Sequence, residues 1–277
     1  MGSLNEMEGW KKADLQTVER KHMGEKTQNY RITLQYEGSR YDGWQKQGNT
    51  DNTIQGRLEQ VLTRMCGVPV EVHGSGRTDA GVHAAGQVAN FHLPGRRTPE
   101  DVMEYLNRYL PDDIAVMECS RVPDRFHSRL NAAKKTYVYQ IETGPKRDVF
   151  ARRRQYGLGQ QLDVDAMRQA AGLLCGTHDY KSFCGNKKMK KSTVRTVYSI
   201  EVCREAGSSL LVLRFTGNGF MQNMVRILAG TLIEVGQGKR TWQSMEEVIQ
   251  AEDRQEAGFT APAEGLCLEQ VFYEEKT

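Results

Sequence analysis

Eleven residues from Gly74 to Ala84, GSGRTDAGVHA, concentrate the side chains best suited to chemistry. Three glycines and several small residues surround one guanidinium, Arg77, one carboxylate, Asp79, and one imidazole, His83. Glycine reaches backbone conformations closed to other residues and lets a ligand approach the chain closely. A loop that permissive, yet carrying Arg77 and Asp79, reads as one that presents them to a ligand. The plainer reading is a tight turn in which Asp79 caps a helix. His83 suits general-base work by type, but a helix-face or backbone-bonding histidine accounts for it more simply, so it stays outside the catalytic set.

Two further groups of cations stand out. Arg226 sits in the most apolar stretch of the chain, with Met224, Val225, Ile227 and Leu228 around it. A charge buried there needs a partner, and Asp79 is the partner expected. Elsewhere Arg152, Arg153 and Arg154 are consecutive, and Lys187, Lys188, Lys190, Lys191 and Arg195 fall within nine residues free of acids. Such a run can neutralise several phosphates, giving salt-sensitive affinity without sequence information; a solvated loop has the same composition.

Bulk properties narrow the class. With 277 residues, 38% apolar and 26% charged, the chain is an ordinary globular protein of one large or two moderate domains. A formal net charge of +3 does not by itself announce a nucleic-acid binder. Six cysteines form no CxxC pair, no secretory apolar segment opens the chain, and no apolar run approaches the ~20 residues of a membrane helix. Reduced, mostly buried thiols in a cytoplasm are expected, with no structural metal, because the six histidines are scattered.

The elements that must position these residues follow from periodicity. Residues 1–28 are polar and aperiodic and read as a flexible extension. Tyr30, Ile32, Leu34 and Tyr36 alternate as in a half-buried strand, and Gly38–Asn52 is rich in turn formers. The spacing predicts a helix over Thr53–Cys66 stopped by Gly67, a short strand Val68–His73, a strand near Gln87–Leu93, a helix near Pro99–Leu110 and a strand near Ile114–Ser120. In the second half it predicts a strand Thr136–Ile141, a helix Val164–Cys175, a hairpin of Thr193–Cys203 and Ser209–Thr216, helices Met221–Val235 and Thr241–Ala251, and a final strand Leu266–Tyr273. Hairpins without regular βαβ alternation favour α+β with antiparallel sheets. Tyr137 shares a strand face with Tyr139, which alone makes it an ordinary core tyrosine. Phe220, Met221 and Leu266 suit either an apolar pocket wall or the core. Asp42 and Gln45 could contact RNA or order their own loop.

The string GRTDAGVHA resembles the signature of TruA-type tRNA pseudouridine synthases. Other stretches agree in that family's order: YDGWQKQ from Tyr41, TIQG from Thr53, FHSR from Phe126 ahead of AKKTYVY from Ala133, GNGFMQNMVR from Gly217 and APAEGL from Ala261. The likeness spans residues 30–273. It implies that Asp79 is the catalytic nucleophile, that Tyr137 packs against the target base, that Arg226 ion-pairs with the acid, and that Arg77 helps extrude the base and holds nearby phosphates. Lys190 and Lys191 join Tyr137 and Arg77 as expected substrate contacts. The chain departs from the pattern at Lys135, where arginine is common, and at Ala263, where proline is; neither departure falls on the proposed chemistry.

The resemblance also implies two similar α/β subdomains, residues 29–128 and 129–277, whose antiparallel sheets join around a central basic cleft. It implies a cytoplasmic homodimer, with no membrane association, acting on tRNA at uridines 38, 39 and 40 of the anticodon stem-loop. Converting uridine to pseudouridine breaks one glycosidic bond and forms another without redox change, so no cofactor is expected. A stacked base must first be extruded, at a few kcal/mol, and an aromatic partner returns ~1–3 kcal/mol by stacking. Two rivals remain: an RNA-binding protein of this fold without activity, and a nucleosidase that releases the base.

Overall fold

A computed structural model describes residues 26–146, 148–186, 188–204 and 206–274. The extension expected over residues 1–28 lies outside the described residues except for its last three, and Lys187 of the basic run also lies outside them.

Ten strands form one continuous sheet: β1 (Thr27–Tyr36), β2 (His73–Gly74), β3 (His83–Pro94), β4 (Ile114–Val122), β5 (Ala132–Glu142), β6 (Tyr156–Gly157), β7 (Gly176–Asp179), β8 (Val194–Arg204), β9 (Leu210–Gly217) and β10 (Leu266–Tyr273). Their order is β4-β1-β3-β10-β5-β9-β8-β7, with β2 on β3 and β6 on β5. The pairings are antiparallel save for β5–β6 and the central one, where Cys267 and Leu268 of β10 run parallel to His83 and Ala84 of β3. The last strand thus closes the sheet between the first and second halves of the chain. The α+β expectation holds, in the form of a single sheet with a parallel seam.

Among the described residues five α-helices complete the fold: α1 (Ile54–Cys66), α2 (Pro99–Tyr109), α3 (Val164–Leu173), α4 (Met224–Gly236) and α5 (Met245–Ala251). In α1, Ile54, Leu58 and Leu62 recur four residues apart and are buried; Thr53 Oγ1 accepts from the Gly56 amide at 3.2 Å, and Gly67 ends the helix at φ +75°. Side chains three and four apart share one face, so this pattern buries a single stripe. A Thr98–Asp101 capping box opens α2, which packs along β4, while α3 packs on both α4 and β8. Beneath the helices the alternating residues of the strands, such as Tyr30, Ile32 and Leu34 on β1 and Leu211, Leu213 and Phe215 on β9, are fully buried.

Four boundaries differ from the periodicity. Residues 68–72 are not a strand, because the Val70 and Val72 amides donate to Thr63 Oγ1 and Glu59 Oε1 of α1 instead of to a neighbouring strand. The third strand starts at His83, four residues early, which puts this histidine on a strand and not on a helix. The apolar helix starts only at Met224, since Asn223 takes a left-handed conformation at φ 59°. The region from Thr241 splits into a 3-10 turn, Trp242–Ser244, and α5. All six cysteines are free, but only Cys66 and Cys184 are buried and Cys203 is exposed, so the thiols are less enclosed than expected.

Candidate active site

The Gly74–Val82 loop is tied down chiefly at Gly74, Ser75, Gly76 and Thr78. Gly74 pairs with Ala89 in the β2–β3 ladder, and the Ser75 amide donates to Val88 O at 2.7 Å. Ser75 Oγ donates to Gln87 Oε1 at 2.7 Å, while Gln87 Nε2 donates to Gly76 O at 3.0 Å. Tyr36 and Thr78 share a hydroxyl–hydroxyl bond of 2.8 Å, and the Trp44 amide donates to Thr78 O at 3.0 Å. Trp44 lies against Gly74: a Cβ there would come within 2.4 Å of the indole ring. Across from it Gly43, at φ +95°, has room for no side chain, because a Cβ would sit 2.8 Å from Thr78 O. The early YDGWQKQ loop is thus the floor on which the Asp79 loop rests. Asp42 accepts from Thr50 Oγ1 at 2.6 Å and Gln45 donates to Gln55 at 2.7 Å, so both order their own loop.

No helix follows Asp79, which rules out the capping reading: its peptide oxygen accepts from the Val82 amide in a turn, and the chain enters β3. The carboxylate points across the seam. Arg226 Nη1 lies 3.8 Å from Asp79 Oδ2, an ion pair longer than a hydrogen bond, between side chains 18% and 29% exposed. Arg226 itself is fixed from three sides. Its Nε donates to Ala261 O at 2.7 Å, its Nη1 to Asn223 Oδ1 at 3.1 Å, and its peptide oxygen accepts from the Ala261 amide at 3.1 Å. Two of the second-half motifs, GNGFMQNMVR and APAEGL, therefore converge on one guanidinium.

Burial raises the Asp79 carboxyl above its ordinary value, and this outweighs the lowering by Arg226 and by the Asn223 amide at the start of α4. A neighbouring cation favours the charged form and a low-dielectric setting disfavours it. Pairing with Arg226 moderates the cost of burial without reversing it.

Tyr137 comes from β5 and reaches the same place. It is 7% exposed, and Phe220 meets its ring edge-on at 5.3 Å between centroids. Burial drives its hydroxyl well above the usual phenol range, with Tyr36, Asp79 and Cys267 adding to the shift. Of the three candidate wall residues, half-buried Phe220 touches Tyr137, whereas Met221 and Leu266 are core. His83 is a backbone-bonding residue: Nδ1 accepts from the Gly38 amide at 3.0 Å and Nε2 faces Glu264 O at 3.2 Å. Burial lowers its pKa, so it stays neutral and joins the first half to the APAEGL turn.

Arg77 is exposed on the same loop as Asp79, and Lys190 and Lys191 are exposed on the segment that leads from Cys184. That segment starts against the site: the Gly185 amide donates to Gln222 O at 2.9 Å, and a Cβ on Gly185 would fall 2.7 Å from Asn223 Nδ2. A cavity of about 300 Å³ bounded by Cys184, Met189, Lys191, Thr193 and Arg254 lies along it and holds none of Asp79, Tyr137 or Arg226. Asp79, Tyr137 and Arg226 are thus brought together; Arg77 is exposed two residues from Asp79, and no contact among the described residues joins Lys190 or Lys191 to the three. Sequence reasoning missed Trp44, Gln87, Thr78 and Asn223 as supports. Trp44 and Asn223 lay inside quoted motifs, while Gln87 carried no signal at all.

A carboxylate 3.8 Å from one guanidinium, with no hydrogen bond from any described side chain to its oxygens and an aromatic ring close by, makes this a candidate site for chemistry carried by an acid. The family model described as tRNA pseudouridine synthase matches residues 32–131 and 170–274. The chain is 47% identical over 245 residues to tRNA pseudouridine synthase A of Bacillus sp. (strain KSM-64), covering 88% of this chain and 99% of the relative. It is 45% identical over 243 residues to tRNA pseudouridine synthase A 2 of Bacillus anthracis, covering 88% and 98%. With tRNA pseudouridine synthase A of Geobacillus kaustophilus (strain HTA426) the figures are 44% over 251 residues, 90% and 96%. The chain belongs to the tRNA pseudouridine synthase family.

Proposed function

We propose that this enzyme isomerises uridine to pseudouridine in tRNA with Asp79 as its catalytic carboxylate, in the anticodon stem-loop. The observation that carries the assignment is the Asp79–Arg226 pair at 3.8 Å, assembled from two distant parts of the chain beside Tyr137. Arg226 and the Asn223 amide favour the ionised form against burial, while no described side chain hydrogen-bonds to the oxygens that would meet the nucleoside. Tyr137, with Phe220 against its edge, offers the flipped base a ring face. Breaking the glycosidic bond, turning the base and rejoining it through carbon adds and removes no atoms, so the residues required are those that hold a base, a ribose and one negative charge.

Residues 29–128 act as the subdomain that supplies Asp79, and residues 129–277 as the one that supplies Tyr137 and Arg226, with a basic cleft between them. Arg77 supports the displaced strand at the pocket mouth, and Lys190 and Lys191 grip phosphates further along the stem. The enzyme works as a cytoplasmic homodimer, one tRNA touching both subunits. No helix among the described residues is long and apolar enough to cross a membrane.

Nucleoside analysis of tRNA incubated with the enzyme tests this reading. Pseudouridine, mapped to the anticodon stem-loop, is the expected product. Unchanged uridine would point to an inactive binder, free uracil with abasic sites to a nucleosidase, and pseudouridine confined to another arm would refute the stem-loop assignment.

A further inference from the structure

The hydrogen bonds to Ser75, Gly76 and Thr78 described so far all come from the first half of the chain, and Lys135 adds one from the second. Lys135 lies on β5 two residues before Tyr137, so both side chains leave the same strand face. Its ammonium reaches across the seam and donates to the peptide oxygen of Ser75 at 2.5 Å. Ser75 is fully buried, and Gly76, next in the loop, approaches so closely that a Cβ on it would stand 3.1 Å from Lys135 Nζ and 3.8 Å from the Tyr137 hydroxyl. On the flanking strands Lys135 is opposed by Val271 and Gly217, which offer no charge or polar side chain. In the sequence this lysine is a departure from the family pattern that falls on none of the proposed chemistry; the fold brings it against the loop.

We infer that Lys135 is a positioning residue: its charge-assisted hydrogen bond to Ser75 O latches the Asp79 loop to the strand that carries Tyr137 and so sets the spacing between acid and ring. The inference rests on the assignment of Asp79 as the catalytic carboxylate. Hydrogen bonds from a charged donor are roughly twice as strong as neutral ones, so the latch is firm only while the amine is protonated. Burial, with a smaller contribution from Arg129, pulls Lys135 down to about 8. The ionisable groups against it are Arg129 on the β4–β5 connection, which lowers it further, and the hydroxyl of Tyr137, held by burial well above this range; Tyr36 and Asp79 lie beyond, acting on Tyr137. Raising the pH through about 8 therefore converts the ammonium to an amine, weakens the latch and slows the chemical step.

Single-turnover rates and tRNA Kd across about pH 6.5–9.5 read this out for the native enzyme, Lys135→Met and Lys135→Arg. Methionine keeps the stem and loses the donor; it is expected to cut the single-turnover rate about 10–100-fold while tRNA Kd stays within about 3-fold. Arginine keeps a donor that does not titrate in this range, so it is expected to recover most of that rate and to shift the alkaline limb up by about one unit or more. A native rate in the methionine variant, a loss appearing only in Kd, or an alkaline limb in the arginine variant superimposable on the native one would each overturn the latch. The limb of the arginine variant decides the matter even where methionine compromises folding. Asp79→Asn run alongside separates the two levels: residual turnover there refutes the role of Asp79, whereas an inactive Asp79→Asn with native-like Lys135 variants refutes only the latch.

Discussion

The loop that holds Asp79 and the segment that holds Lys190 and Lys191 are both glycine- or lysine-rich connections between strands, yet they are built oppositely. From Ser75 to Thr78 the first has its backbone oxygens taken up by Lys135, Gln87 and the Trp44 amide, with Tyr36 on a side chain. The second exposes Lys188, Lys190 and Lys191 to solvent, and its hydrogen bonds are short-range turns such as Lys188 N to Asn186 Oδ1 at 3.0 Å. The contrast matches the demands on each. A reacting group has to be placed to within a fraction of an ångström, since ordering it beforehand lowers the barrier. A phosphate contact works through a long-range field and tolerates a mobile ammonium. Changes at the first loop should therefore act on rate, and changes at the second on affinity and its salt dependence.

The sharpest way to break this division is Asp79→Asn. Turnover should fall on the order of 10³-fold or more, with tRNA Kd within a few-fold; retained pseudouridine formation would remove the first loop from the chemistry. The same variant carries a stability signature. Because burial raises the Asp79 pKa in the folded state above its unfolded value, the native protein binds more protons than the unfolded chain between the two, and stability falls as pH rises through that window. Asparagine abolishes this dependence, so thermal melts near neutral pH should show the variant equal to or more stable than the native enzyme.

Arg226→Lys comes next. Lysine keeps the charge but cannot reproduce donors to Ala261 O and Asn223 Oδ1 together with a nitrogen facing Asp79. A fall of about 10²-fold in kcat is expected, the scale of losing one preorganised donor. Arg226→Gln removes the charge as well and leaves burial unopposed, so Asp79 titrates higher still and the acid limb of the rate profile moves to higher pH. An unmoved limb would show that Arg226 does not act on the carboxylate.

How far this arrangement was legible beforehand differs by residue. Asp79 and Arg226 were readable because a carboxylate in a glycine loop and a guanidinium in an apolar helix are each costly alone, and each cost is relieved by the other. Strand alternation found β1, β5, β8, β9 and β10, whose side chains repeat with period two. It failed at residues 68–72 because the amides there turn to α1 side chains, a choice that depends on tertiary neighbours. Gln87 went unnoticed, and Lys135 was noted only as a departure from the family pattern, for a related reason. Each is one polar residue on a strand, and only the folding of β3 and β5 around the loop gives it a partner. The net direction of the Asp79 pKa was not legible, because sequence reveals the partner but not the depth of burial.

A smaller effect, on stability rather than rate, is expected at Gly74→Ala. The added methyl would enter the Trp44 ring at 2.4 Å, and the indole is 2% exposed with little space to retreat. Overpacking of this kind costs about 1–3 kcal/mol. Urea denaturation should show a lower midpoint with an unchanged slope. A neutral outcome would mean that the floor under the Asp79 loop is softer than its packing suggests, which would weaken the contrast with the lysine segment.

The smallest expected change tests the other side of the comparison. Lys190→Ala with Lys191→Ala removes two exposed ammonium groups that touch nothing structural, so the melting temperature should not move. Affinity for tRNA should drop several-fold at low salt, and the slope of log Kd against log salt should shrink by about one for each phosphate released from an ammonium. Single-turnover rate at saturating enzyme should stay native, because bound tRNA meets an intact Asp79 loop. If instead the rate falls while the salt slope is unchanged, the lysine segment shapes the pocket through Gly185 and Asn223, and the separation of gripping from positioning fails at the point where the two regions touch.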